Sequence, residues 1–173
     1  VTTIRETGCF NGLSWTLDQK SRAAAARIDA PHILAYAPFP ATIDYVNALH
    51  TPDAARAWLA SAKARGADGI KFFGAPPAVM KAALEASGAL GLRSCCHHAQ
   101  LAVGRMNPLQ TARWGLTSTE HSYGIPETLF EDRTLQAHDA DHDHSDEYLR
   151  FAAAGRTFMQ AARPGSGQWR AVL

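Results

Sequence analysis

The sequence has few cysteines, no long hydrophobic run and almost no excess of charge of either sign. Its three cysteines, Cys9, Cys95 and Cys96, are odd in number and two are adjacent, which indicates buried reduced thiols rather than a disulfide framework. No apolar run approaches the roughly 20 residues of a membrane-spanning helix, so we expect no membrane partner. A formal net charge of +1 without a basic cluster gives no reason to expect nucleic acid as a partner.

Signatures of nucleotide-binding and serine-hydrolase sites are also missing. The chain has no phosphate-binding loop, no Gly-x-Gly-x-x-Gly after a strand and no Gly-x-Ser-x-Gly. These absences count against a small α/β domain that binds a nucleotide or another anion. The composition is instead that of a globular protein, since 46% of the residues are hydrophobic. A length of 173 residues is enough for one domain with a core.

Short apolar segments alternate with helical patterns along the first two thirds of the chain. Because parallel strands joined by helical crossovers are covered on both faces, such segments predict an α/β fold with a parallel sheet. After residue 123 the pattern changes to a short helix, a polar stretch rich in His and Asp, an amphipathic helix over 146–162 and the start of another helix at 168. The predicted strands cover residues 1–7, 32–37, 69–73, 92–97 and 116–121. The apolar stripe of the amphipathic helix consists of Tyr148, Phe151, Ala152, Gly155 and Phe158.

Polar side chains occur at or near the ends of three successive predicted strands. Lys71 lies within an apolar run, His97 and His98 end the next strand, and His121 ends the one after it. Since ligands bind at the carboxyl edge of parallel sheets, the three positions together predict a site. Taken singly, each has another explanation: a lysine whose tip reaches water, a hydrogen-bonded core histidine, or a surface Glu-His pair.

The chemistry of a metal site accounts for this mixture of residues. Neutral imidazole is a common ligand of zinc-like ions. A protonated lysine repels a cation, but a lysine that has added carbon dioxide is an anionic carbamate with two oxygens that can bridge two metal ions. Carbamylation would also explain why Lys71 lies in an apolar strand, where charged groups are rare unless paired.

The segments 1–6, 66–71, 92–98 and 117–121 together resemble the metal-dependent amidohydrolase superfamily, in its imidazolonepropionase- and prolidase-like branch. The resemblance implies a TIM (β/α)8 barrel, of which this chain would hold about strands 2 to 6. It also implies one or two divalent metal ions, zinc first among them, with carbamylated Lys71 as a bridging ligand. His97 matches the metal ligand of strand 5, with His98 as the alternative, and His121 matches that of strand 6. Tyr123 is a candidate for substrate binding.

The same resemblance divides the chain into a partial barrel over 1–127 and a polar loop and helical segment over 128–173 that leads toward strand 7. The family's His-x-His of strand 1 and aspartate of strand 8 have no counterpart at matching positions, so no catalytic residue is assigned. We therefore expect an internal fragment of a longer enzyme, inactive by itself and prone to aggregate through unpaired edge strands.

The expected activity of the longer protein is metal-dependent hydrolysis of an amide or another non-peptide or dipeptide C–N bond by a metal-activated water. Its partner would be a small-molecule amide-type substrate, and oligomers are possible. The alternative is a non-enzymatic metal-binding or degenerate barrel domain that uses Cys95, Cys96, His97, His98 and the His-Asp stretch.

Overall fold

A computed structural model of the chain describes residues 1–40, 49–130, 134–135, 141–161 and 163–172. In these residues, five strands form one sheet in the order β1-β2-β3-β4-β5, and every neighbouring pair is parallel. The strands are β1 (Thr3–Thr7), β2 (His32–Pro38), β3 (Gly69–Phe72), β4 (Arg93–His97) and β5 (Ser118–Glu120). The α/β class and all five predicted strands are therefore confirmed.

Helices connect the strands and continue after β5. The helices are α1 (Leu13–Ala24), α2 (Pro52–Ala64), α3 (Pro77–Ala89), α4 (Pro108–Arg113), α5 (Ile125–Thr128), α6 (Glu147–Gln160) and α7 (Gly167–Val172), with a 3-10 turn at Gln100–Ala102. No helix in the described ranges combines the length and apolarity needed to cross a bilayer.

Capping residues in the sequence account for where α2 and α4 begin. The Thr51 hydroxyl accepts the Ala54 N–H at 3.2 Å at the start of α2, where Pro52 occupies the first helical turn. At α4, Asn107 and Gln110 form a reciprocal capping box. The sequence also predicts a helix over residues 16–28, whereas α1 begins at Leu13, directly after Gly12 with its φ of +92°, and ends at Ala24.

The main core lies between one face of the sheet and the helices. Side chains of β2 and β3 on this face pack against α2 and α3, and Cys96 contributes from β4. Because side chains alternate along a strand, the register partners Lys71 and Cys95 belong to the opposite face. All three cysteines are buried free thiols, as predicted.

The sheet curls around the face that carries Lys71. At about 4.8 Å between neighbouring strands, a flat sheet would hold β1 and β5 roughly 19 Å apart. Instead, the Arg5 guanidinium of β1 donates to Glu120 Oε1 at 2.6 Å and to Ser118 Oγ at 3.0 Å, both on β5. A contact between the two outermost strands requires a curved sheet, so the five strands form a half-barrel with Arg5 and Glu120 on its concave face.

Gly69 at the start of β3 permits close packing inside the half-barrel. A Cβ there would lie 2.5 Å from the Tyr36 ring and 2.8 Å from the carbonyl oxygen of Arg93. We expect Gly69→Ala to lower the free energy of unfolding by about 1–3 kcal/mol through overpacking. The measurement is urea denaturation.

Gly88→Ala in α3 is the matched control, because a Cβ at Gly88 meets nothing within 4 Å. It should raise stability by about 0.5–1 kcal/mol, since alanine favours a helix interior. Equal destabilisation by both substitutions would contradict the steric explanation.

The predicted apolar stripe of α6 does not face the core. The buried residues of α6 are Ala153 and Ala154, whereas Tyr148 is 89% exposed and Phe151 46% exposed. The apolar stripe is therefore not the buried face of this helix, although the Phe151 ring contacts that of Tyr123.

Candidate functional site at the carboxyl edge of the sheet

Three of the predicted site residues are brought to one region by β3, β4 and β5. Lys71 is the third residue of β3, His97 ends β4, and His121 directly follows β5. The imidazole rings of His97 and His121 lie 4.9 Å apart between centroids. His121 has a φ of 62°, a left-handed conformation that is uncommon for a residue other than glycine. Such backbone strain directly after a strand is typical of functional sites.

Lys71 is buried, with 5% of its surface exposed. Its ammonium lies 5.0 Å from the centroid of the Phe73 ring, a cation–π contact, and forms no ion pair with another described residue. Burial lowers the pKa of Lys71 from its ordinary value, while the Cys95 thiol and the Glu120 carboxylate act in the opposite sense. A larger share of this lysine is therefore a neutral amine, the form that can react with carbon dioxide.

His97 lies at the centre of the group. Its ring is 5.8 Å from the Phe73 ring and 5.1 Å from the Tyr123 ring between centroids. Burial, followed by the nearby positive charges of His121, Lys71 and Arg150, lowers the pKa of His97 to about 3. At neutral pH this imidazole is uncharged, so one of its nitrogens has a lone pair to offer.

The neighbouring His98 has a different environment. Its side chain is fully buried, and Nε2 lies 2.9 Å from the Thr111 hydroxyl of α4. Burial lowers its pKa to about 4. The structure thus places His97 among the aromatic rings of Phe73, His121 and Tyr123, whereas His98 lies beneath α4. Cys95 and Cys96 divide in the same way, because Cys96 packs in the main core while Cys95 pairs in register with Lys71.

Tyr123 covers the two histidines on one side. Its ring lies 5.1 Å from that of His97 and 5.5 Å from that of His121, and 1% of its surface is exposed. Its hydroxyl finds no hydrogen-bond partner in the described part of the chain. A buried polar group without a partner costs about 1–3 kcal/mol, and such a group in a native fold calls for an explanation.

Helix α6 contributes two residues that sequence reasoning did not assign to the site. The Phe151 ring lies 5.4 Å from that of Tyr123 and 6.3 Å from that of His121. The Arg150 guanidinium lies 5.5 Å from the centroid of the Tyr123 ring. The Gln100 amide donates to the Arg150 carbonyl at 3.1 Å, which ties α6 to the turn after β4. No local sequence signal indicates these contacts, because they join segments about 30 to 50 residues apart.

The side chains here include types that bind metal ions, but within the described ranges too few of the usual donors lie together to hold an ion unaided. The described ranges contain no group of three or more His, Cys, Asp or Glu side chains that could hold a metal ion. Two imidazoles, of His97 and His121, are available. Carbamylated Lys71 would be the third donor and would bring the negative charge that neutral imidazoles lack.

Comparisons with known proteins support the fold only. No model of a known protein family matches the chain, and no curated protein matches it. A solved structure of a Xaa-Pro dipeptidase with methionine bound in its active site is similar over 69% of this chain and 36% of that chain, with a TM-score of 0.53 and 17% identity. A solved structure of an uncharacterized protein is similar over 72% of this chain and 38% of that chain, with a TM-score of 0.50 and 13% identity.

The chain therefore spans little more than a third of the length of either solved chain. Both likenesses fit the five-stranded parallel half-barrel and concern the fold alone. At these identities the chemistry of the neighbours does not carry over to this chain.

Proposed function

We propose that the chain is part of a metal-dependent hydrolase of the amidohydrolase type that cleaves an amide or similar C–N bond. The observation that carries the proposal is the grouping of His97 and His121, with buried Lys71 nearby, at the edge of a curved parallel sheet. The dipeptidase among the structural neighbours is itself a hydrolase and adds weak support at the level of the fold.

His97, His121 and carbamylated Lys71 would hold one or two divalent ions. Carbamate formation joins the Lys71 nitrogen to the carbon of carbon dioxide and releases one proton. A divalent ion in such a site lowers the pKa of its bound water and polarises the scissile carbonyl.

Aromatic side chains of this chain contact both imidazoles, of which His97 is buried and His121 is exposed. The rings of Tyr123 and Phe151 pack against His121. Burial keeps His97 unprotonated at neutral pH, so a proton does not compete for its nitrogen. The Arg5–Glu120 pair across the concave face holds β1 close to the strand that precedes His121.

The alternative is a metal-binding or degenerate barrel domain without catalysis. A site built from Cys95, Cys96, His97 and His98 is disfavoured, because Cys96 packs in the core and His98 contacts α4. If such a domain binds metal through other ligands, metal binding should survive the replacement of Lys71.

The test is metal analysis combined with an activity assay of the protein that carries this sequence. After expression with zinc and bicarbonate, we expect one or two equivalents of divalent ion and hydrolysis of N-acyl amino acids and dipeptides. Removal of the ion with a chelator should stop hydrolysis, and its return should restore it. Metal-loaded protein without any C–N hydrolase activity would favour the non-enzymatic alternative.

A further inference from the structure

We infer that the exposed side of α6 is an interface between two copies of this chain, in which the two α6 helices pack antiparallel about a twofold axis. The contact is made by an outer stripe of four residues, Tyr148, Ala152, Gly155 and Met159. The inference goes beyond the proposed hydrolase and does not depend on it.

The first observation is that the outer stripe is apolar and open. Tyr148 is 89% exposed and Met159 82% exposed, and Ala152 and Gly155 between them are exposed as well. A Cβ at Gly155 would meet nothing within 4 Å. Steps of four, three and four residues are the spacing of the seam along which two helices pack in a coiled coil. Contiguous exposed apolar side chains of this kind mark an interaction surface.

The second observation is that the outer stripe is symmetric in size about the middle of the helix. Helix α6 spans Glu147–Gln160, so its midpoint lies between residues 153 and 154. An antiparallel pair centred there puts Tyr148 of one copy opposite Met159 of the other, and Ala152 opposite Gly155. The small residues let the helix axes approach in the middle, and the large ones fill the space at both ends. A twofold interface requires such a self-complementary surface.

The third observation is the distribution of charge along α6, which selects the antiparallel orientation. Asp146 and Glu147 lie at its start, whereas Arg156 lies in its second half and Arg163 follows its end. No Asp or Glu follows Glu147 in the sequence. An antiparallel pair therefore brings the acidic start of each helix toward the basic end of the other, twice in the dimer. A parallel pair would bring like charges together, which is unfavourable.

The length of the helix indicates how strong the association is. With 14 residues, α6 is about 21 Å long. One pair of helices of this length buries less surface than a standard protein interface, so the dimer should be weak and depend on concentration. Sedimentation equilibrium should show the mass rising from that of one chain to that of two as the protein concentration increases.

The deciding experiment is disulfide crosslinking between two variants of the protein that carries this sequence, Tyr148→Cys and Met159→Cys. The antiparallel pair places position 148 of one copy opposite position 159 of the other, whereas the two copies of either position lie roughly 16 Å apart along the axis. Since a disulfide requires Cα atoms within about 7 Å, mild oxidation should link the mixed variants but neither variant to itself. The cysteines already in the chain are buried and should contribute only a background.

Lys81→Cys mixed with Met159→Cys is the control for random collision, because Lys81 is 55% exposed on α3, away from α6. This mixture should give no more crosslinked product than the unmodified protein. Linkage of each α6 variant to itself, without linkage in the mixture, would overturn the antiparallel arrangement.

A second pair of variants tests the interface without cysteine chemistry. Gly155→Arg should weaken dimerisation at least about 10-fold, because a long charged side chain would lie between the two helices. Gly88→Arg in α3 is the matched control, since a Cβ at Gly88 also meets nothing within 4 Å, and it should leave dimerisation unchanged. A protein that stays monomeric at all concentrations would overturn the inference, and so would association that persists in Gly155→Arg, which would indicate contact through another surface such as a sheet edge.

Discussion

Replacement of Phe72 by alanine is expected to lower the free energy of unfolding by about 3–5 kcal/mol. Phe72 is fully buried in β3, and its ring lies 4.9 Å from that of Phe39 between centroids. The substitution removes apolar area from the core and leaves a cavity that the surrounding sheet and helices fill only in part. Since domains are stable by only about 5–15 kcal/mol in total, the variant should be close to unfolding. Urea denaturation followed by circular dichroism measures the loss.

Phe10→Ala controls for the loss of a phenyl ring as such, because Phe10 is 84% exposed. It should change stability by no more than about 0.5 kcal/mol. A loss below about 1 kcal/mol for Phe72→Ala would mean that the helices do not cover the face of β3 that carries Phe72, and the core arrangement would need revision.

Replacement of Lys71 by methionine is expected to lower metal affinity and hydrolysis but to raise the stability of the fold. In the longer protein that carries this sequence, metal affinity and hydrolysis should fall by at least about 100-fold, since even an outer-shell partner of a metal ligand contributes 10–100-fold. In metal-free buffer without carbon dioxide, the same substitution should raise the free energy of unfolding by about 1 kcal/mol, because a hydrophobic side chain replaces a buried charge that has no ionic partner among the described residues. Metal titration, an amide hydrolysis assay and urea denaturation measure the three quantities.

The stability gain of this variant should depend on pH. The pKa of Lys71 is lowered in the folded state, so the unfolded chain binds more protons between that pKa and the ordinary value of 10.5. The destabilising effect of the lysine is therefore complete below the folded-state pKa and fades as the pH rises toward 10.5. The difference in stability between Lys71→Met and the original chain should shrink over that range.

Lys81→Met is the control for the loss of a lysine charge, because Lys81 is 55% exposed on α3. It should leave metal binding, hydrolysis and the pH dependence of stability unchanged. Metal binding that survives in Lys71→Met would count against the carbamate and in favour of a non-enzymatic metal-binding domain.

The alternation of strands and helices could be predicted because it depends on local patterns. Gly69 to Phe72 is short and apolar, and Thr51-Pro52 marks a helix start whatever lies around it. The order of Lys71, His97 and His121 along successive strands also predicted that they would approach each other, since parallel strands direct their carboxyl ends to one edge. The identity of the chemistry at that edge remains a prediction.

The packing of α6 could not be predicted from its own sequence. Tyr148 and Phe151 have the spacing of a buried face, yet Ala153 and Ala154 are the buried residues. Periodicity shows which residues share a face of a helix but not which face meets the rest of the chain. The contacts of Arg150 and Phe151 with Tyr123 follow from that orientation, so they could not be predicted from the sequence either.

The sequence by itself therefore determined the α/β class, the positions of the five strands and the three polar residues at their ends, because hydrophobic period, caps and turn residues act over a few neighbours. Only the tertiary structure decided between His97 and His98 as neighbours of His121, curled the sheet so that Arg5 reaches Glu120, and brought Arg150 to Tyr123. Each of these depends on which faces of distant segments meet, and that choice is made by the burial of the whole chain rather than by any local pattern.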